Sequence, residues 1–291
     1  MAENQNNIQW FPGHMAKTRR QIGEMLPLID LVAEIIDARI PLSSRNPELS
    51  DWVKSKPRIV LLNKCDMADE QQTIAWVKAL NDDTTLAIPI DCKSGRGFDK
   101  FLPAVKRILA PRLEQLKAKG MGGRTLRIMA VGIPNVGKSS FINRLSGNSR
   151  AKVENRPGVT RGNQWFMIDK GIELLDTPGV LWPKFEDKTV GEHLAFCGSI
   201  KDTILDIETL GCDLASCLKA KYLELLCARY KLDCDIADLQ GYEILEQIAI
   251  KRGMKVSGGD PDYERAASTL LEEFRNCKIG RMTLEKAGDE L

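Results

Sequence analysis

The chain has little of what builds metal knuckles or oxidised scaffolds: two histidines in 291 residues, and eight cysteines with no C-x-x-C pair. That scarcity argues against a zinc site held by Cys and His. Free thiols in a reducing compartment are the simpler account of the cysteines. Long apolar runs are missing too: no stretch reaches the about 20 residues needed to cross a bilayer, and Met1 to Asn7 lacks a charged and apolar leader. A cytoplasmic, monomeric protein with no membrane partner is the expectation. No internal repeat or low-complexity run is present. Neither charge sign dominates, since 42 Lys/Arg against 40 Asp/Glu leaves +2, but the balance hides a split. Residues 1–185 carry 28 basic and 19 acidic side chains (+9), and residues 186–291 carry 14 and 21 (−7). Lys17, Arg19 and Arg20 near Trp10 and Phe11, with Lys117, Lys119, Arg124 and Arg127, are either a salt-sensitive surface for nucleic-acid phosphates or a solvated charged face.

What the chain does have begins with Gly132-Ile-Pro-Asn-Val-Gly-Lys-Ser139, which fits G-x-x-x-x-G-K-S and directly follows the apolar run Leu126 to Val131. A strand that ends in such a loop and opens into a helix (Ser139 to Leu145) turns successive backbone N–H groups around a polyphosphate, and the helix adds the positive end of its dipole. Asn135, Val136, Gly137, Lys138, Ser139 and Ser140 are the phosphate-binding candidates. Within them Lys138 reaches the β- and γ-phosphates, and Ser139 offers a hydroxyl to magnesium.

A second apolar run, Pro57 to Leu62, leads into Asn63-Lys64-Cys65-Asp66, which reads N-K-x-D. Guanine presents N1–H and the exocyclic amine as paired donors that the one carboxylate of Asp66 accepts together, whereas adenine has no such pair at that edge. The ligand class is therefore GTP and GDP. Leu86 to Ile90 reads as a third strand, ending in Asp91-Cys92-Lys93-Ser94-Gly95, where GTPases often carry S-A-K. The match there is degraded, but the Cys92 backbone N–H is expected to reach the guanine oxygen whatever the side chain. Arg156 to Thr160 and Asp176-Thr-Pro-Gly179 suit two switch loops: Thr160 and Asp176 toward magnesium, the Gly179 N–H toward the γ-phosphate.

The order along the chain is guanine reader, phosphate loop, switches, a circular permutation of the usual GTPase order. A doubly wound sheet tolerates this, because its site is made of loops at the carboxyl ends of parallel strands. The expected architecture is α/β: a circularly permuted P-loop GTPase domain with a doubly wound, mostly parallel sheet, followed by a small all-helical domain. Residues 1–20 read as an N-terminal arm and 21–185 as the GTPase domain. In 186–291 helical periodicity replaces strand signals, as at 222–227, 244–249 and 266–274. Phe101 to Lys119 has helical spacing with a kink expected at Pro111.

With that order in view the chain resembles the circularly permuted GTPases of ribosome assembly. Beyond the nucleotide motifs, the resemblance rests on Trp10-Phe-Pro-Gly-His-Met15, Asp37-Ala-Arg-Ile-Pro41, Ser44-Arg-Asn46 and Leu181-Trp-Pro-Lys-Phe-Glu-Asp187. It implies GTP hydrolysis linked to late maturation of the large ribosomal subunit, departure after hydrolysis, and a C-terminal helical domain that helps contact ribosomal RNA. Asp91-Cys92-Lys93 is where the chain departs from the pattern. GTPases with Asn at the position of Asn135 often hold a potassium ion there, so K+ joins Mg2+ as an expected cofactor. The residue after D-T-P-G is Val180, not the water-orienting Gln of many GTPases. His14, in a Pro-Gly-His turn, is the candidate catalytic group beside Lys138 and Thr160, with packing or RNA contact as its other reading; His193 reads as structural. Two other functions stay open: a GTP-binding RNA scaffold, and a GTPase acting in tRNA modification or on another protein partner.

Overall fold

The structure is a computed structural model and describes residues 13–53, 56–121, 123–148, 164–185, 187–233, 236 and 238–289. The described residues divide into two compact units, one within Phe185–Leu284 and the other within Trp10–Lys184 and Glu285–Glu290. The second of these holds the sheet. Its elements run α1 (Gly13–Met25), β1 (Leu31–Asp37), α2 (Pro47–Trp52), β2 (Arg58–Asn63), α3 (Glu70–Leu80), β3 (Thr85–Pro89), α4 (Phe101–Ile108), α5 (Ala110–Ala118), β4 (Leu126–Gly132), α6 (Lys138–Asn148), β5 (Gln164–Asp169) and β6 (Ile172–Asp176).

The six strands lie in the order β3-β2-β1-β4-β6-β5, all parallel except the β5–β6 pair. β1 is buried at every one of its seven positions, as a central strand covered on both faces must be. Even Glu34 within it is buried, and the Arg45 guanidinium donates to its carboxylate at 3.4 and 3.5 Å. Register sets the site: Asn63 pairs with Asp37, Ile35 with Gly132 and Ala130 with Asp176, so the ends of four strands line up along one edge. The permuted, mostly parallel architecture expected from the motif order is the one observed.

The break in Phe101 to Lys119 falls at Leu109, with Pro111 in the first turn of α5, where a missing N–H costs no helical hydrogen bond. Phe101 and Phe141 meet edge to face with ring centres 5.1 Å apart, seating α6 against α4. Two expectations need correction. α1 starts at Gly13, so the described part of the segment 1–20 is helix rather than arm; Met15, Thr18 and Ile22, spaced i, i+3 and i+7, bury one face of it. The C-terminal domain does not keep the chain to its end. Glu285 is 4% exposed and its carboxylate accepts from the Leu42 N–H (2.5 Å), the Ser43 N–H and the Ser43 hydroxyl. The Trp76 indole N–H donates to the Glu285 carbonyl at 3.1 Å. A buried carboxylate with that many donors is satisfied only there, so the tail joins the sheet unit.

The helical unit contains α7 (Lys188–Phe196), α8 (Ile207–Tyr230), α9 (Gly241–Arg252) and α10 (Tyr263–Arg275). α8 packs against both α9 and α10. At Gly211 an added Cβ would lie 2.4 Å from the Ala267 Cβ, so the α8–α10 crossing requires a residue without one. Within α8 the backbone leaves helical geometry at Tyr222, whose hydroxyl donates to the Thr283 carbonyl and accepts from the Thr283 N–H. His193 is buried in α7 beside Phe196, in agreement with its structural reading.

Candidate nucleotide site

Gly132, at the end of β4, and Lys138, opening α6, bracket a tight loop in which Asn135 and Gly137 adopt φ of +58° and +99°. A Cβ on Gly137 would lie 2.2 Å from Asn63 Nδ2, so this glycine is needed both for its backbone conformation and for the approach of its neighbour. That neighbour is the first residue of N-K-x-D. Asn63 Nδ2 donates to the Val136 carbonyl at 2.7 Å, and Lys64 Nζ donates to the Asn135 carbonyl at 3.2 Å. The guanine-reading and phosphate-binding segments, 71 to 73 residues apart in sequence, are thus wired together. Asp66 stands half-exposed at the end of the same loop, and no group among the described residues takes its carboxylate.

Lys138 is 8% exposed, and its ammonium lies 2.6 Å from the Asp176 carboxylate. The side chains assigned to the phosphates and to the metal therefore share one place. Ser139 and Ser140 are exposed at the start of α6. Beyond β6 the Thr177 hydroxyl donates to the Ala130 carbonyl (2.7 Å) and the Val180 N–H to the Gly132 carbonyl (3.2 Å). Gly179, between them, is pressed on the phosphate loop: a Cβ there would fall 2.8 Å from the Pro134 nitrogen.

The loop after β3 is held by contacts within the protein. The Cys92 N–H, expected for the guanine oxygen, donates to Asn63 Oδ1 at 3.1 Å. Asp91 turns its carboxylate back on its own loop, accepting the Lys93 N–H at 2.7 Å and the Ser94 N–H at 3.0 Å. Burial pushes the Asp91 pKa up, but the hydrogen bonds from Ser94 and Lys93 outweigh it and hold the carboxyl below its ordinary value. Burial, with the Asp91 charge beside it, pushes the Cys92 thiol up to about 12, which removes it as a nucleophile at neutral pH. A residue that the motif reading missed braces this loop: the Arg144 guanidinium, from α6, donates to the carbonyls of Cys92 (3.3 Å), Lys93 (3.0 Å) and Ser94 (2.5 Å). Nothing local to Arg144 in the sequence signals that reach.

His14 lies in the first turn of α1 rather than in a turn on an arm. Thr160, with the whole Arg156 to Thr160 switch candidate, falls outside the described residues. Among the described residues no group of His, Cys, Asp and Glu forms a metal cluster, and no helix is long and apolar enough to cross a membrane.

Sheet order, phosphate loop and N-K-x-D bridge together define a circularly permuted P-loop GTPase. Residues 127–226 match the family described as "50S ribosome-binding GTPase". The chain is 45% identical to ribosome biogenesis GTPase A of Bacillus licheniformis over 282 residues, 97% of this chain and 99% of that one. It is 31% identical to the protein of the same name from Thermotoga maritima, over 97% of this chain and 95% of the other. The crystal structure of GNP-bound YlqF from T. maritima matches with a TM-score of 0.64 and 27% identity, covering 94% of this chain and 100% of that one. The chain belongs to the ribosome biogenesis GTPase A family.

Proposed function

We propose that the protein binds the precursor of the large ribosomal subunit in its GTP state, promotes a late step of its maturation and leaves after hydrolysis. The observation that carries the nucleotide half of this reading is the double bridge from Asn63 and Lys64 to the phosphate loop, which ties base recognition to phosphate binding. The ribosomal half is supported by the names of the relatives and by the basic excess of residues 1–185. The compartment this reading implies is the cytoplasm, with the protein acting as a monomer; residues 21–185 carry the GTPase and 186–291 form the helical domain that helps contact ribosomal RNA. Co-sedimentation with large subunits in GTP, GDP and a non-hydrolysable analogue tests it. Retention with the analogue, release with GDP and faster turnover on subunits are the expected results; equal sedimentation in all three states would overturn the release step.

In this reading Asp66 selects guanine, while Lys138 and the N–H groups opening α6 stabilise charge on the β- and γ-phosphates as the bridging bond breaks. Ser139, Asp176 and Thr160 offer the hydroxyl and carboxylate oxygens that suit Mg2+, and these residues would hold it; when bound, the ion neutralises phosphate charge. Asn135, exposed on the loop, is the ligand proposed for K+, so turnover is expected to be faster in potassium than in sodium. Val180 has no group to orient the attacking water, and we assign that task to His14, an imidazole being able to orient water or accept its proton. His14→Ala is expected to keep GTP and subunit binding while cutting stimulated turnover by roughly 10². Normal hydrolysis by the variant, or failure to dock, would remove His14 from the chemistry.

A further inference from the structure

Asp37 and Arg39 are a buried ion pair, 1% and 2% exposed, at the end of β1, the central strand of the sheet unit. Asp37 Oδ1 accepts the Arg39 N–H and Nε–H, each at 3.0 Å, and Oδ2 accepts Arg39 Nη2 at 2.8 Å. A two-point pair of this kind fixes the plane of the carboxylate. Oδ2 has a second partner, the Lys64 ammonium at 2.8 Å, and that same ammonium donates to the Asn135 carbonyl of the phosphate loop. Neither Asp37 nor Arg39 is open to a nucleotide. Burying two charges gains little stability over apolar residues of similar size, so the use of the pair lies in what it holds in place.

The backbone supports this. Of the four described non-glycine residues with left-handed φ, two are Lys64 (+61°) and Asn135 (+58°), the two ends of the bridge. Such conformations cost energy unless their surroundings impose them, and here one ammonium group joins them. Burial works to raise the Asp37 pKa, but the Arg39 and Lys64 charges and hydrogen bonds outweigh it and hold the carboxyl far below the usual range. The anion that anchors Lys64 is therefore present throughout the neutral and mildly acidic range.

We propose that Asp37, locked by Arg39, is a positioning residue for guanine-nucleotide binding: it fixes the Lys64 ammonium so that Lys64 clamps the phosphate loop at Asn135. The proposal rests on the guanine-site reading above. Without the anion, Lys64 is free to swing to solvent, the clamp opens, and the bound nucleotide leaves faster.

The test is binding of the fluorescent nucleotide mant-GDP to the full chain. Asp37→Asn is expected to weaken binding about tenfold, in the dissociation rate, the size expected for losing a charged hydrogen-bond partner. Lys64→Met is expected to weaken it at least as much, and the double variant no further than Lys64→Met alone, because both act through one group. For Asp37→Asn at saturating GTP, kcat should stay within about twofold while KM rises, a split that simple loss of folded protein would not produce. If Asp37→Asn fails to fold because Arg39 loses this counter-charge, Asp37→Asn with Arg39→Met removes both charges and should show the same tenfold loss. Parent-like mant-GDP affinity in a folded Asp37 variant, or losses from Asp37→Asn and Lys64→Met that multiply, would overturn the proposal alone. An unsubstituted chain that binds mant-ADP as well as mant-GDP would overturn the guanine reading, and this proposal with it.

Discussion

Asp66→Asn is expected to exchange GTP for xanthosine triphosphate as the preferred nucleotide. Guanine offers two adjacent donors, N1–H and the exocyclic amine, and a carboxylate accepts both. Asparagine has one acceptor and one donor on that edge. It matches xanthine, which keeps N1–H and places a carbonyl where the amine was. A site built to bond a particular edge rejects the wrong one by the order of 10⁴ to 10⁵, so the ratio of the two affinities should move by the order of 10⁴. Stability should change little, because Asp66 is half-exposed and its carboxylate has no partner among the described residues. Competition of the two triphosphates against labelled GDP measures the ratio. Undiminished GTP binding without a xanthine gain would remove Asp66 as the reader.

The features legible in the sequence are those whose chemistry is confined to a few consecutive residues. The phosphate loop, N-K-x-D and D-T-P-G each need a fixed local geometry, and their order, set beside apolar runs, was enough to place β2, β3 and β4 and the permutation. β5 was hidden. Gln164 to Asp169 buries only Trp165 and Ile168, its register shifts between Met167 and Asp169 so that strict alternation is lost, and it follows a stretch read as a switch loop. The contacts least visible were those that span the chain: Arg144 to the carbonyls of 92–94, Asp37 to Lys64, and Glu285 to Leu42 and Ser43 across more than 240 residues. No periodicity encodes them, because each is one side chain meeting backbone or charge that the sheet brings near. Asp91 and Cys92 stand at a motif position read as a ligand contact, and what the motif did not show is that the Asp91 carboxylate accepts the Lys93 N–H and the Cys92 N–H donates to Asn63.

Gly179→Ala is expected to separate nucleotide binding from hydrolysis. Residues 177–180 are fastened at both ends, by the Thr177 hydroxyl on Ala130 and by the Val180 N–H on Gly132. Val180 is further held by its carbonyl, which accepts from Asn46 at 3.4 Å. Between these fastenings the Gly179 backbone lies against the phosphate loop so closely that a Cβ would stand 2.8 Å from the nitrogen of Pro134, 2.9 Å from its Cα and 3.0 Å from the carbonyl carbon of Ile133. All three are backbone-framework atoms that cannot rotate away, so the switch must lift from the loop. The Gly179 N–H then moves off the γ-phosphate, where it would meet charge developing in the transition state. Loss of one such donor costs roughly 10² to 10³ in kcat. GDP, which has no γ-phosphate, should bind within about threefold of the parent, since Asp66, Lys138 and the amides of α6 are untouched. Single-turnover hydrolysis beside a GDP titration makes the comparison. Parent-like hydrolysis would show that the close approach of Gly179 serves packing alone, and a parallel loss of GDP affinity would show that the phosphate loop, not the switch, had yielded.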